Sequence, residues 1–134
     1  MRKLSYTWGD SNYHREIWLN GVSISIRENL YQFLRRYREH TRHVSLWIDA
    51  VCINQRNLDK CNHQVPLMGQ MYTNARSVVV WLGVETDNSD LALNAIKHAQ
   101  GHICEAEQMA NDLKYKPHWE ALVQLCQRPY WTRT

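Results

Sequence analysis

An α/β fold with a short parallel sheet is predicted by three features of the sequence. Apolar runs rich in valine recur at 44–53 and 77–82, each bounded by polar residues or glycine. That is the pattern of strands buried on both faces. Amphipathic helical segments alternate with these runs, and strands alternating with helices build parallel sheets covered by helices. Asn20-Gly21, set between the β-prone arms 17–19 and 22–26, adds an antiparallel hairpin at one edge, because Asn-Gly supplies the two positive-φ positions of a type I′ turn. The expected architecture is a parallel core of three strands flanked by helices, with the hairpin at one edge, in one domain over residues 1–134.

The elements follow in order. Residues 3–8 (KLSYTW) are a first strand closed by Gly9-Asp10, and the hairpin comes next. A helix over 28–41 places Leu30, Phe33, Leu34 and Tyr37 on one face and Gln32, Arg35, Arg36 and Glu39 on the other. The run 44–53 (VSLWIDAVCI) reads as one buried strand carrying a single acid, Asp49. Period-two alternation puts Asp49 on a face with Trp47, Val51 and Ile53, where an unpaired carboxylate is costly. Asp49 is therefore paired, or the strand end is a site.

A structured loop over 56–63 leads to a helix over 62–75, with Val65, Met68, Tyr72 and Ala75 on one face. Its regular part is expected to begin near Gln64, with Pro66 in the first turn, where a missing N–H costs little. The run 77–82 is a second central strand, ended by Gly83. A polar loop over 85–89 precedes a long helix through Leu91, Ala95, Ala99, Ile103, Ala106 and Ala110. Residues 114–117 break it, and Trp119, Leu122, Val123 and Cys126 mark a last helix stopped at Arg128-Pro129.

Composition bounds the function. The chain has 134 residues, 44% hydrophobic and 22% charged, with a net charge of +3, which suits a globular protein. Arg35, Arg36, Arg38 and Arg42 cluster without interleaved aromatics or a nucleic-acid motif, so they read as a solvated helix face and no nucleic-acid partner is expected. No segment approaches the ~20 apolar residues of a membrane span and no leader follows Met1, so a soluble, cytoplasmic protein is expected. Cys52, Cys61, Cys104 and Cys126 form no CxxC pair and read as buried free thiols.

Candidate chemistry is sparse. Gly9, Gly21, Gly69, Gly83 and Gly101 stand apart, so no phosphate-cradling loop and no cofactor fingerprint is present. His98 and His102 with Cys104, or Cys52 and Cys61 with His63, lack diagnostic metal spacing, and no metal is expected. A Cys52–His63 nucleophile pair competes with Cys52 as a small core residue. Ligands in such sheets sit beyond the carboxyl ends of the strands, here Trp8-Gly9-Asp10, residues 52–55 and residues 83–85. Asp49 is either a perturbed acid at that end or a scaffold acid paired with a Trp indole, backbone amides, Arg56 or Lys60. The scaffold role is favoured. Asn54 and Gln55 read as side chains that hold the following loop.

The succession Leu4-Ser5-Tyr6-Thr7-Trp8-Gly9-Asp10, Asn29-Leu30 and WIDAVCINQ at 47–55 resembles the fungal heterokaryon incompatibility (HET) domain. The resemblance continues through Asn62-His63-Gln64-Val65, Met68, Met71-Tyr72, Ala75 and Val80-Trp81-Leu82-Gly83, and Arg128-Pro129-Tyr130-Trp131 is similar to that domain's RPW-type segment. It implies an effector of fungal non-self recognition and programmed cell death that works through protein partners or self-association. HET domains have been likened to TIR domains, which share a flavodoxin-like fold and in some branches cleave NAD.

By that analogy NAD is a candidate substrate. Asp10 and Asp49 are the candidate acids, with Glu85 a weaker third, and Trp8, Gly9, Asn54, Gln55 and Gln64 are further polar or turn positions of the motif. Lys60 and Cys61 stand where the family usually has an acidic and then a basic residue. The family's segment beyond the RPW-type motif, with a Trp and a Gln-Glu pair, has no counterpart before Thr134. The domain is thus expected to lack its C-terminal segment, leaving an apolar patch or frayed tail over 129–134.

Overall fold

Leu4 and Tyr6 alternate with Lys3 and Ser5 along the first strand, β1 (Arg2–Tyr6), and so address opposite faces of the central sheet. The computed structural model describes residues 1–40, 43–53, 57, 62–63, 66–86, 88–99 and 111–132. They fall into two compact units, Met1–Gly83 and Val84–Thr134. In the first unit β1 is followed by β2 (His14–Leu19), β3 (Val22–Arg27), α1 (Glu28–His40), β4 (Leu46–Trp47), α2 (Asp49–Cys52), α3 (Met68–Thr73) and β5 (Ser77–Trp81).

The sheet order is β4-β1-β5 with both pairings parallel, as the alternation of strands and helices predicts. Tyr6 lies opposite Trp81, and Leu4 opposite Val79. These side chains form one core with Leu30 and Phe33 of α1, Ile26 of β3 and Ile48. The predicted apolar stripe of α1 is thus its packed face. The hairpin pairs its own strands in a separate antiparallel sheet, through Asn20 and Gly21 at φ of 50° and 79°, which fits a type I′ turn.

Lys3 points to the other face and is only 2% exposed. Its Nζ lies 5.3 Å from the Trp47 ring centroid and 5.4 Å from that of Tyr72, and burial holds its ammonium below the usual lysine range. The Tyr72 hydroxyl donates to Leu4 O at 2.9 Å, tying α3 to the central strand.

Three expectations are corrected in this unit. The run 44–53 is not one strand: β4 stops at Trp47, extended Ile48 caps a helical turn, and Cys52 N and Ile53 N donate to Ile48 O and Asp49 O at 2.8 and 2.9 Å. Ile48 and Ile53 are buried from this turn, because a short apolar run satisfies either period and only packing decides between them. Asp49 therefore does not share a strand face with Val51 and Ile53. Cys52 is a free, exposed thiol rather than a core residue. In the segment predicted as one helix over 62–75, residues 62 and 63 are helical and a helix runs from Met68 to Thr73, with Pro66 and Leu67 in a turn before it rather than in a helical first turn. Gln64 and Val65 lie outside the described residues.

In the second unit α4 (Ser89–Ala99) and α5 (Lys116–Cys126) pack through Ala92, Ala95, Ala121 and Leu125. Asp112 Oδ1 accepts from Lys114 N at 2.9 Å, capping a 3₁₀ turn that leads into α5, where Pro117 occupies the first turn. A last turn, α6 (Pro129–Thr132), follows. Arg128 donates to Val84 O at 3.3 Å and to both Thr86 O and Thr86 Oγ1 at 3.0 Å, stitching the start of this unit to its end.

Two further points differ from expectation. Val123 and Cys126 are exposed, the buried face of α5 being Ala121 and Leu125. The chain over 129–132 is a helical turn rather than a frayed tail, with Trp131 Nε1 donating to Leu125 O at 3.1 Å. The Trp131 side chain is still 55% exposed, as the expected apolar patch requires. Continuation of α4 through Gly101 and Ile103 lies outside the described residues. No helix among the described residues is long and apolar enough to cross a membrane.

Candidate functional site

The carboxyl end of β1 is where the motif residues converge. Gly9 turns the chain at φ +76°, a left-handed conformation that disfavours side chains, and a Cβ there would lie 3.1 Å from Asn29 Cβ. Asn29, in the first turn of α1, donates from Nδ2 to Thr7 O at 2.5 Å and accepts from Trp81 Nε1 at 3.0 Å. One amide thus links the ends of β1 and β5 to the helix between them.

Trp8 Nε1 donates to Asp49 Oδ2 at 3.1 Å, and Ala50 N donates to Oδ1 at 2.7 Å. The Tyr6 hydroxyl is a third donor to the same carboxylate. Burial, and then the negative charge of Asp49, push the Tyr6 phenol far above its ordinary value, while the Arg27 guanidinium acts in the opposite sense. Of the partners expected for Asp49, an indole N–H and a backbone amide are present; Arg56 and Lys60 lie outside the described residues. A carboxylate with three donors is held as an acceptor and orients what surrounds it.

Beside this cluster opens a cleft of about 170 Å³ lined by Tyr6, Trp8, His14, Ser25, Ile26, Arg27, Leu30 and Ala50. The hairpin register sets His14 directly opposite Arg27. Arg27 lies over the Trp8 ring with its guanidinium carbon 5.0 Å from the centroid, and its Nη1 donates to Gly9 O at 2.9 Å. The lining contains a guanidinium, an imidazole and two hydroxyls but no carboxylate. Such an opening can attract and orient negative charge, with an indole wall for a planar or apolar group.

The structure therefore brings Trp8, Gly9 and Asp49 together. Asp10 is exposed, its Oδ1 accepting from Asn12 N at 2.8 Å in a local turn. Asn54, Gln55 and Gln64 lie outside the described residues. Cys52, His63, His98 and Glu85 are exposed, whereas Cys61, His102 and Cys104 lie outside the described residues. Among the described residues no group of three His, Cys, Asp or Glu is placed to hold a metal.

His14, Ser25, Arg27, and the linking role of Asn29, escaped the sequence reading. A signal existed for the pair His14 and Arg27, since a two-residue turn at Asn20-Gly21 dictates every cross-strand partner. That the pair faces Trp8 is a matter of packing.

Comparison with known proteins bears on this cluster. The heterokaryon incompatibility protein (HET) family matches residues 2–134, across both units. A similar protein is heterokaryon incompatibility protein 6, OR allele, of Neurospora crassa, 37% identical over an alignment covering 69% of this chain and 16% of the relative. The chain thus spans about one-sixth of the length of that curated relative. No solved structure gives a significant match.

Proposed function

The chain belongs to the heterokaryon incompatibility (HET) family, and from that premise we propose that it is an effector module of fungal incompatibility acting through protein–protein assembly. One observation carries the assembly part. The tip of the β2–β3 hairpin presents Trp18 at 77% exposure beside exposed Leu19 and Val22. An indole so open on a turn-stabilised hairpin costs solvation in the free protein, and buried aromatics are the usual anchors of interfaces. The hairpin strands pair only with each other among the described residues, so their outer edges add unpaired N–H and C=O groups for a partner strand.

The test combines sedimentation velocity with expression in a fungal host. The chain is expected to self-associate with rising concentration and to be toxic when overproduced. Trp18→Ser should abolish both while leaving the circular dichroism spectrum and melting temperature unchanged. A monomeric, harmless wild type, or a Trp18→Ser variant that assembles and kills as the parent does, removes the reading.

The position of the cleft favours a second reading, a TIR-like hydrolase cleaving the nicotinamide–ribose bond of NAD. Such chemistry needs a carboxylate near the ribose as its oxocarbenium character develops. Asp49 does not itself line the cleft but is bonded to its lining residues Trp8 and Tyr6, and it is better placed than Asp10, which is spent in a turn. Release of nicotinamide from NAD, lost in Asp49→Asn, is the expected result for an enzyme. No release from folded protein sinks it.

A further inference from the structure

We propose that the cleft beside Trp8 binds the phosphoryl group of a small molecule, held by Arg27, His14 and Ser25. This stands apart from the assembly reading and does not require hydrolysis of NAD. Three observations carry it.

The first is the balance of charge and donors. Arg27, His14 and Ser25 all line the opening, and no acid does. Acids around it are engaged elsewhere: Asp49 accepts from Trp8, Ala50 and Tyr6, Asp10 accepts from Asn12 N, and Glu16, opposite Ser25 on the hairpin, accepts from Ser23 Oγ. An anion entering the cleft meets a fixed positive charge without a competing carboxylate in the lining, which is where charge-assisted bonds are strongest.

The second is that the donors are unspent. Arg27 commits Nη1 to Gly9 O; its Nε and Nη2 have no partner among the described residues, nor do the His14 ring and the Ser25 hydroxyl. The bond to Gly9 and the stack on Trp8 hold the guanidinium in place, so little entropy is lost when an anion binds. The remaining donors come from three side chains on paired strands. A tetrahedral oxyanion, with oxygens facing several ways, suits that spread better than a planar carboxylate, which one guanidinium edge would satisfy.

The third is size. About 170 Å³ is well below the roughly 300–1,000 Å³ of pockets that engulf a drug-sized ligand. It accommodates a phosphoryl group with a small body against Trp8, and the remainder of a larger ligand would extend into solvent.

Isothermal titration calorimetry of the full chain with inorganic phosphate, at constant ionic strength, tests this. Saturable binding is expected, weakened about tenfold or more in Arg27→Gln, which removes a charged donor, and several-fold in His14→Asn and Ser25→Ala. Arg27→Gln also forfeits the contacts to Gly9 and Trp8. The other two make no side-chain hydrogen bond or ion pair among the described residues and should keep the wild-type circular dichroism spectrum. Acetate should bind at least several-fold more weakly than phosphate; equal affinity overturns the phosphoryl assignment. Absence of saturable heat, or phosphate affinity unchanged in both His14→Asn and Ser25→Ala, overturns the site. Neither result bears on self-association.

Discussion

Trp8 and Asp49, 41 residues apart in the chain, are joined by an indole N–H to carboxylate bond of 3.1 Å. That bond fastens the loop after the central strand to the turn after β4, and it organises everything that faces the cleft. It also settles where the acid of the longest apolar run is directed: toward the end of β1.

Asp49 should therefore matter first for stability. Asp49→Ala leaves the Trp8 N–H and Tyr6 O–H without their acceptor, at an expected loss of roughly 2–3 kcal/mol. Asp49→Asn keeps one carbonyl oxygen and should lose about half of that. Urea unfolding followed by tryptophan fluorescence measures both. Full stability in the alanine variant would show that the carboxylate is no scaffold.

Gly9 and Gly21 share a positive φ, +76° and +79°, but not their surroundings. An alanine at either pays the left-handed penalty of about 1–2 kcal/mol. At Gly21 nothing lies within 4 Å of the added methyl, whereas at Gly9 it lies 3.1 Å from Asn29 Cβ. Gly9→Ala should thus be the more destabilising by roughly 1 kcal/mol or more. Equal melting temperatures for the two variants would contradict the tight packing of Asn29 on the turn.

Tyr6 gives a pH signature. Its phenol is raised in the folded protein, so above about pH 10 the unfolded chain loses that proton while the native chain keeps it. The native state then binds more protons, and stability falls as pH rises. The contribution is intact below that pH and declines by up to about 1.4 kcal/mol per pH unit above it. Denaturant titrations from neutral to alkaline pH should show a shallower alkaline decline in Tyr6→Phe, starting from a lower stability because the bond to Asp49 is gone. An unchanged alkaline slope would refute the burial of this hydroxyl.

Thr7 Oγ1 is buried without a hydrogen-bond partner among the described residues. Thr7→Val removes the unsatisfied hydroxyl at nearly constant shape and should raise stability by about 1 kcal/mol, measurable as a higher unfolding midpoint in urea. A loss of stability would reveal a partner for that oxygen.

Much of the scaffold was legible because it rests on local rules. The stripe of α1, the Asn20-Gly21 turn and the apolar runs at β1 and β5 each carry a periodicity or a dihedral requirement in a few adjacent residues. Asp49 was legible as a departure from an apolar pattern, and Trp8 and Gly9 as the end of the first strand and the turn that closes it. The run 44–53 departs from the strand pattern because so short an apolar run is compatible with either a strand or a helical turn, and packing rather than composition decides between them.

What the sequence alone determined is the parallel α/β framework, the hairpin register and the identity of the polar residues near the strand ends. What only the tertiary structure decided is which of them meet. Asp49 faces Trp8 because the chain leaves β4 at Ile48 and coils, and Arg27 faces the same indole because the hairpin folds back over the end of β1. Those encounters depend on packing between segments tens of residues apart, whose free energy is set by buried area and hydrogen-bond satisfaction rather than by any local pattern.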